Sequence, residues 1–172
     1  MPRKYRVKRH AVTQPRDPSY KIIPLTKRQN ALVDTADFEW LNQWNWTALP
    51  NSMGGFYAKR RSSGIYMHRL ILDCNKWEQA DHRNHDTLDN RRSNLRRAVG
   101  SQNHRNQKIR SNNRSGFKGV SWDKVKNKWY ASIRIHGKTK ALGFYRSKEI
   151  AARVYDEAAK SMFGEFAHLN FQ

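Results

Sequence analysis

The residues of this chain best suited to chemistry are an aspartate and a histidine in sequence, Asp81-His82, followed by Asn94 and Asn103. A hard divalent cation takes carboxylate and amide oxygens as ligands, so Asp81 and Asn103 are a candidate ligand pair for one Mg²⁺ or Mn²⁺ ion. An imidazole titrates near neutrality, so His82 can accept a proton from an attacking water. The set therefore predicts metal-dependent hydrolysis of a phosphodiester bond.

The elements that must position these residues are two strands and a helix. Asp81 and His82 end a predicted strand or begin the turn beyond it, and residues 84–90 are rich in turn-forming polar residues. Residues 93–96 predict a return strand, and the stretch to Gln107 predicts a helix that places Asn103 near Asp81. Asn94 lies 13 positions after Asp81 and nine before Asn103, so its amide can bond backbone groups and fix the loop.

The charge of the chain indicates nucleic acid as its partner. Lys and Arg number 34 against 14 Asp and Glu, which gives a net charge of +20 over 172 residues. Such a surface attracts polyphosphate and releases counterions on binding. Residues 83–118 carry ten Lys or Arg and only two acids, and this stretch predicts phosphate contacts from Arg91, Arg92, Arg96 and Arg105.

Several classes of protein are disfavoured by the composition. Cys74 is the only cysteine, so an intrachain disulfide and a Cys-x-x-Cys zinc site are excluded. The chain carries neither an apolar run long enough to span a bilayer nor the apolar core of a signal peptide. We therefore expect a soluble cytoplasmic protein whose partner is double-stranded DNA, with no membrane and no small-molecule substrate.

The first two thirds of the chain predict a basic arm and one α+β domain. Residues 1–19 are basic and contain three prolines, which predicts a mobile arm. Residues 20–110 predict a small antiparallel sheet and a helix that starts with Thr35 as its N-cap. Alternation of apolar and polar residues predicts strands at 21–25, 44–49, 56–61 and 65–71.

Residues 20–110 also resemble a known family. The matching stretches are 67–69, 81–82, 89–96 and 101–106. They resemble the HNH endonucleases of phages and mobile introns, which implies a ββα-metal fold. By that resemblance Asp81 binds metal and His82 is the general base, while Asn94 orders the loop and Asn103 is the second ligand. Many members carry histidine at the last position, although the intron-homing branch carries asparagine, and His104 is the alternative ligand.

The last third of the chain predicts a separate α+β unit, residues 116–172, after a polar linker at 111–115. Three strands are predicted at 116–122, 128–135 and 138–145, followed by a helix capped by Ser147 and ended by Gly164. This predicts a three-stranded antiparallel sheet packed on one helix. Alternation in the second strand places Lys128 and Arg134 on a polar face, opposite Trp129 and Ile133, and leaves that polar face for DNA.

This unit resembles the ethylene-response-factor, or APETALA-type, DNA-binding domain. The stretches that carry the resemblance are 116–120, 128–134, 142–145, 151–159 and 169–171. The resemblance implies a sheet that enters the major groove, with candidate contacts from Lys118, Trp122, Arg134 and Lys140. Plant members carry arginine at the position of Lys118, and lysine is less suited to bidentate reading of guanine.

Two functions of different classes follow. The first is a site-recognising, HNH-type DNA endonuclease, in which the C-terminal sheet holds the duplex that the first domain cuts. By resemblance it acts as a homing endonuclease in the host cell of a phage or prokaryotic mobile element. The second is a DNA-binding regulator with an inactive nuclease-like half. Asp81, His82 and Asn103 favour cutting, because binding alone needs no such set.

Overall fold

The chain has α+β structure and divides into two units, Met1–Gly100 and Ser101–Gln172. The computed structural model describes residues 9–52, 54–98, 109, 113–135 and 137–171. Within those ranges, no helix is both long and apolar enough to cross a membrane. The sequence predicts the α+β class, which the structure confirms.

The described residues of the first unit form three separate hairpins and two short helices rather than the single sheet predicted. Each hairpin is a two-stranded antiparallel sheet. The paired strands are β1 (Tyr20–Pro24) with β2 (Asn30–Asp34), β3 (Trp46–Pro50) with β4 (Phe56–Arg60), and β5 (Gln79–His82) with β6 (Leu95–Ala98). The helices are α1 (Thr35–Asn42) and α2 (Met67–Ile71).

The core of the first unit lies between these hairpins and helices. Trp46 is fully buried, and its indole nitrogen donates to the carbonyl oxygen of Leu41 over 2.8 Å. The same cluster contains Ile23 from β1 and Met67 from α2. Burial of a large apolar side chain stabilises the folded state by about 1.5–3 kcal/mol, so these residues fix where the hairpins meet.

The prediction of a strand at residues 65–71 is wrong. Tyr66 forms a single bridge to Lys59, and the chain then enters α2 at Met67. Met67 and Ile71 are both buried, four positions apart, which is the spacing of one helical face. A run this short fits both periodicities, and packing against the core selects the helix.

The N-cap of α1 is also different from the prediction. Asp34, not Thr35, occupies the cap position, and it makes no side-chain cap bond. The Thr35 hydroxyl donates to the carbonyl of Pro18 instead, while the Asp34 carboxylate accepts the backbone N–H of Arg92 over 2.7 Å. Both side chains are thus used in contacts between distant segments.

Part of the predicted basic arm is attached to the first unit. The Arg9 guanidinium donates to the side-chain oxygen of Asn42 over 2.7 Å. Gln14 exchanges two bonds with the backbone of Ile22 in β1, over 2.8 and 3.0 Å. These contacts extend the fold to residue 9, whereas residues 1–8 lie outside the described ranges.

In the second unit, residues 113–135 and 137–171 form a three-stranded antiparallel sheet packed on one helix, as the sequence predicts. Its strands β7 (Val120–Asp123), β8 (Lys128–Ile135) and β9 (Lys138–Tyr145) pair in chain order. Helix α3 (Lys148–Phe163) begins after Ser147, whose hydroxyl accepts the N–H groups of Glu149 and Ile150. A 3₁₀ turn, Gly164–Phe166, follows.

Strand β7 starts at Val120, four residues later than predicted. Gly116 and Gly119 have φ angles of 78° and 75°, which belong to turns. A Cβ atom on Gly119 would lie 1.9 Å from a ring carbon of Tyr155 in α3. The close approach of the helix therefore requires glycine there. Asn113 and Ser115 of the predicted linker bond to the carbonyl of Phe117, and Ser115 is buried.

Candidate active site

The hairpin of β5 and β6 positions the predicted catalytic residues of the first unit. Its register pairs Asp81 with Arg96 and His82 with Leu95. Asp81 and His82 are the last two residues of β5, so the loop 83–94 begins directly after them. The sequence predicts a strand ending near this pair and a return strand, and both are present. The predicted helix to Gln107 falls largely outside the described residues.

Asn94 holds the loop at both of its ends. Its side-chain oxygen accepts the N–H of Asn84 over 3.0 Å, and its side-chain nitrogen donates to the carbonyl of Asp89 over 2.8 Å. Its own carbonyl accepts the N–H of Arg83 over 2.9 Å. Asn94 is buried, so these bonds are shielded from water. The loop beyond His82 is therefore fixed by backbone bonds, the arrangement expected of Asn94 from its position.

Asp81 and Arg96 form a buried ion pair. Two guanidinium nitrogens of Arg96 donate to one carboxylate oxygen of Asp81 over 2.9 and 2.7 Å. Asp81 is 7 % exposed and Arg96 is 6 % exposed. Removing one partner of such a pair leaves an uncompensated charge in the interior. The pair thus sets the orientation of the Asp81 carboxylate, and Arg96 is turned inward rather than towards solvent.

His82 lies in a cluster of aromatic rings. The rings of His68 and His82 meet edge to face, with centroids 5.0 Å apart. Tyr57 lies 5.4 Å from His68 and 6.3 Å from His82, and Tyr66 lies 5.5 Å from His68. We call these four side chains the imidazole cluster. The Nδ1 atom of His68 is buried and has no hydrogen-bond partner among the described residues.

Burial keeps both imidazoles neutral. Burial, followed by the nearby His82 and Arg69, lowers the pKa of His68 to about 3. Burial also lowers the pKa of His82, although a side-chain hydrogen bond with Asn90 and three nearby aspartates act in the opposite direction. A neutral imidazole can accept a proton, so His82 is in the form that a general base requires.

Two further arginines predicted to bind DNA are, like Arg96, held by carboxylates of the same unit. Arg91 makes a bidentate pair with Asp89, over 2.8 and 2.7 Å. Arg92 makes a second with Asp37 of α1, both bonds 2.8 Å long. Both arginines keep an exposed part, 34 % and 55 % of the side chain. Their contact with phosphate stays a prediction, and their pairs with Asp89 and Asp37 are structural.

The second predicted ligand lies outside the described part of the chain. Asn103, its alternative His104 and the predicted DNA contact Arg105 lie outside the described residues. Within the described ranges no group of three or more His, Cys, Asp and Glu side chains could hold a metal ion. The carboxylate of Asp81 is the type of donor that a hard cation takes, so this residue fits the predicted role as one ligand.

The four predicted contacts of the second unit do not share one face of the sheet. Residues directly opposite each other in an antiparallel pair point to the same side. Arg134 pairs with Thr139 on the face away from α3, whereas Trp122 pairs with Trp129 and Lys140 pairs with Ile133. Ile133 is buried in the cluster that contains residues of α3. Trp122 and Lys140 therefore belong, by register, to the face that carries the helix.

Lys118 lies before β7, in the turn between Gly116 and Gly119. Its backbone exchanges two bonds with the side chain of Asn170, over 2.6 and 3.1 Å, which ties the start of the sheet to the C-terminal tail. Burial lowers the pKa of Lys118 to about 8. The ammonium group is thus partly withdrawn from water.

Sequence reasoning assigned no definite role to the residues around His82. His68 is visible in the motif at 67–69, but its contact with His82 depends on α2, which the sequence predicts as a strand. Tyr57 and Tyr66 carry no signal of their own, because aromatic residues in predicted strands are most often part of a core. The imidazole cluster becomes apparent only when the hairpin and α2 are packed together.

The chain is similar in part to two proteins with descriptive names. The chain is 38 % identical over 90 residues to a protein of Acanthamoeba polyphaga mimivirus named as an uncharacterized HNH endonuclease, and the match covers 52 % of this chain and 46 % of that protein. It is 44 % identical over 62 residues to dehydration-responsive element-binding protein 2A of Arabidopsis thaliana, covering 35 % of this chain and 18 % of that protein. The chain thus spans less than half the length of either relative.

A third relative is matched over most of its length. No family model matches the chain, and no solved structure matches it. The chain is 31 % identical over 87 residues to Protein 3.8 of Escherichia phage T7, and the match covers 51 % of this chain and 71 % of that protein. The chain therefore belongs to the same family as Protein 3.8 of Escherichia phage T7.

Proposed function

We propose that the chain is an HNH-type endonuclease that hydrolyses phosphodiester bonds of double-stranded DNA with one bound Mg²⁺ or Mn²⁺ ion. The observation that carries the proposal is the end of the β5–β6 hairpin. There Asp81 and His82 stand side by side at the start of a loop that Asn94 fixes at both ends. Nothing in DNA binding alone requires a buried neutral histidine next to an oriented carboxylate.

Each residue of the site has a separate task in this proposal. Asp81, oriented by Arg96, and Asn103 would hold the metal ion. The bound ion would supply positive charge that stabilises the phosphate oxygens and the leaving oxygen. His82 accepts the proton of the attacking water, and the imidazole cluster keeps its ring in a fixed place. The fixed loop limits motion of the base relative to the bound phosphate.

In this proposal, DNA is bound by the second unit and attracted by the net positive charge of the chain. The face of the sheet away from α3 carries Arg134 and is the proposed contact with the duplex. A net charge of +20 favours association with a polyanion. The family relationship to a phage protein supports an enzyme that is encoded by a phage or mobile element. Such an enzyme would act in the cytoplasm of the host cell and recognise a defined site in DNA.

Plasmid cleavage tests the proposal. Wild type should convert supercoiled plasmid to nicked or linear forms in the presence of Mg²⁺ or Mn²⁺, and chelation should stop the reaction. His82→Ala should lose the activity, whereas His168→Ala, in the second unit, should retain it. If neither ion supports cleavage that depends on His82, the endonuclease assignment fails, while DNA binding can still stand.

A second candidate is a DNA-binding regulator whose nuclease-like half only docks on DNA. The observation in its favour is the burial of the site: His82 is 4 % exposed, and Asp81 is already bonded to Arg96. The similarity to the plant element-binding protein is consistent with it. This candidate predicts tight DNA binding with no strand breaks under any metal, a pattern that the plasmid assay separates from the first.

A further inference from the structure

Trp77 is an exposed tryptophan close to the candidate active site. It is 80 % exposed, whereas Trp46 of the same unit is fully buried. Tryptophan is mostly buried in folded proteins because exposing its ring to water is unfavourable. A ring exposed this fully is available for contact with another molecule, and its surroundings decide which kind of molecule it suits.

The loop that carries Trp77 is held in one conformation. The side-chain oxygen of Asn75 accepts the N–H groups of Trp77 and Glu78, over 2.9 and 3.1 Å. The Glu78 carboxylate accepts the N–H of Asn75 over 3.0 Å. From α2, the guanidinium of Arg69 donates to the carbonyls of Asn75 and Glu78, over 2.7 and 2.6 Å. The ring thus projects from a preorganised loop, which lowers the entropy lost on binding.

The charges around the ring favour an anionic partner. The ammonium of Lys76 lies 4.6 Å from the centre of the Trp77 ring. The nearest carboxylate in the loop, Glu78, is paired with Arg97 over 3.1 Å, and Asp73 is exposed at the end of α2. With Arg69 and Lys76 beside them, the local balance is positive. An aromatic ring with a flanking cation is the combination that binds a nucleobase and its phosphate.

The short sequence separation between Trp77 and Asp81 limits the distance between Trp77 and the candidate active site. Trp77 lies four residues before Asp81, and four residues span at most about 14 Å. One strand of DNA advances about 3.4 Å per nucleotide, so the two residues are separated by at most about four nucleotides. A ring at this distance can touch the same piece of DNA that the hairpin cuts.

We propose that Trp77 stacks on a nucleobase of the bound DNA within about four nucleotides of the cleaved phosphate, while Lys76 contacts the backbone beside it. The inference rests on the proposed function, because it assumes that the first unit lies on DNA. It adds a DNA-binding residue to the first unit. This residue is distinct from the proposed metal ligands, from the general base His82 and from the sheet of the second unit. A base must leave the stack of the duplex before the Trp77 ring can stack on it. Trp77 would therefore bind a distorted duplex more tightly than a straight one.

The test uses the full chain with His82→Ala, so that the DNA is not cut. Affinity is measured for a duplex with a two-nucleotide gap, and photochemical cross-linking is measured with a duplex in which bromodeoxyuridine replaces thymidine. Trp77→Ala should bind about tenfold more weakly, whereas Trp77→Phe, which keeps an aromatic ring, should stay within about threefold of the parent. Ile150→Ala, an exposed apolar residue of the second unit, is the matched control and should not change the affinity.

Mass spectrometry of the cross-linked protein should place an adduct on Trp77. The proposal is overturned if Trp77→Ala binds as tightly as its parent and no adduct forms on Trp77, a result that leaves DNA binding by the chain intact. If no variant binds DNA at all, the proposed function itself fails, and the Trp77 inference falls with it. The two failures are therefore distinguishable in one experiment.

Discussion

His82 owes its chemical state to its neighbours rather than to its position in a motif. The ring lies in the interior against His68, and burial lowers the pKa of both imidazoles. A base with a lowered pKa stays neutral, and able to accept a proton, in mildly acidic solution. The same burial restricts access of water to the ring. In the proposed mechanism the attacking water would therefore have to reach a ring that is buried in the free protein.

The first unit should become less stable as the pH falls. The pKa of His68 is about 3 in the folded protein and near 6.5 when unfolded, so between these values the unfolded chain binds the extra proton. The free energy of unfolding therefore has its full value above about pH 6.5. Below that pH, His68 alone lowers it by about 1.4 kcal/mol per pH unit. Urea unfolding from pH 7 to pH 4 checks this. In His68→Phe the slope should be smaller, and an unchanged slope would contradict the burial of His68.

Replacement of Asn94 by alanine should weaken the loop beyond His82. The change removes the part-buried bond to Asn84 and the buried bond to Asp89, and it leaves the buried carbonyl of Asp89 without that partner, at a cost of about 1–3 kcal/mol. Urea unfolding of the full chain should show destabilisation of that order, with faster amide exchange in residues 83–94. Asn127→Gly, at a turn with a φ of 52°, should leave the unfolding midpoint nearly unchanged. Equal stability of Asn94→Ala and wild type would contradict the role of the side chain.

Residue types predicted much of the site, but not its ion pairs. Asp81, His82 and Asn94 are recognisable from chemistry and spacing, and the structure puts all three in one hairpin and its loop. Arg96 is predicted as a DNA contact because it lies in a basic stretch that is interleaved with the candidate catalytic residues. Its partner is set by strand register, since Asp81 and Arg96 are 15 positions apart and face each other only after β5 and β6 pair. No local pattern reveals such a contact.

The sheet register of the second unit decides which of its charged side chains share the proposed DNA-contact face. Arg134 and Lys140 are both exposed cations of neighbouring strands, but they lie on opposite faces of the sheet. Arg134 also donates to the carbonyl of Gly137 over 3.3 Å, which holds its guanidinium near the β8–β9 turn. The two residues therefore form a matched pair for locating the binding face.

Arg134→Gln should weaken binding to duplex DNA more than Lys140→Gln. Both variants remove one positive charge, so the general electrostatic loss is the same. Only Arg134 lies on the proposed contact face, and loss of a direct contact costs about 1–3 kcal/mol, or about tenfold. Affinities measured side by side at one salt concentration give the comparison. Equal losses, or a larger loss for Lys140→Gln, would place the DNA on another surface.

The sequence predicts a helix or strand accurately where one local pattern, such as a long apolar repeat, is strong. The long apolar repeat of α3 and the Ser147 cap gave the helix within a residue of its observed start. Residues 65–71 were misassigned because a seven-residue alternation also fits a helix turn. The late start of β7 follows from Tyr155 packing against Gly119, a contact between segments 36 positions apart. Tertiary packing of this kind overrides local preference.

At the scale of the whole molecule, a large excess of positive charge coexists with internal ion pairs. Aspartates of the first unit are held by arginines at Arg91–Asp89, Arg92–Asp37 and Arg96–Asp81. These pairs use the few acids of the chain to stabilise the fold. The chain keeps a net charge of +20, which favours association with a polyanion.

DNA binding by the full chain should depend steeply on salt. A protein that contacts six to ten phosphates loses about 10³–10⁵ in affinity between roughly 50 and 200 mM salt. We expect this chain to fall in that range, since its net charge is +20. Titration of a duplex at several salt concentrations gives the slope directly. A slope near zero would mean that phosphate contacts do not carry the binding, against the role given to the basic surface.

We propose that His82 is the general base of a metal-dependent DNA endonuclease. The single-turnover rate at which prebound plasmid is cut in Mg²⁺ or Mn²⁺, with DNA affinity measured in parallel, tests this role. His82→Ala should bind DNA like wild type but cut it about 10²–10⁴ times more slowly, the contribution of a positioned general base. Equal cutting rates for the two proteins, or no metal-dependent cutting by the wild type, would contradict the claim.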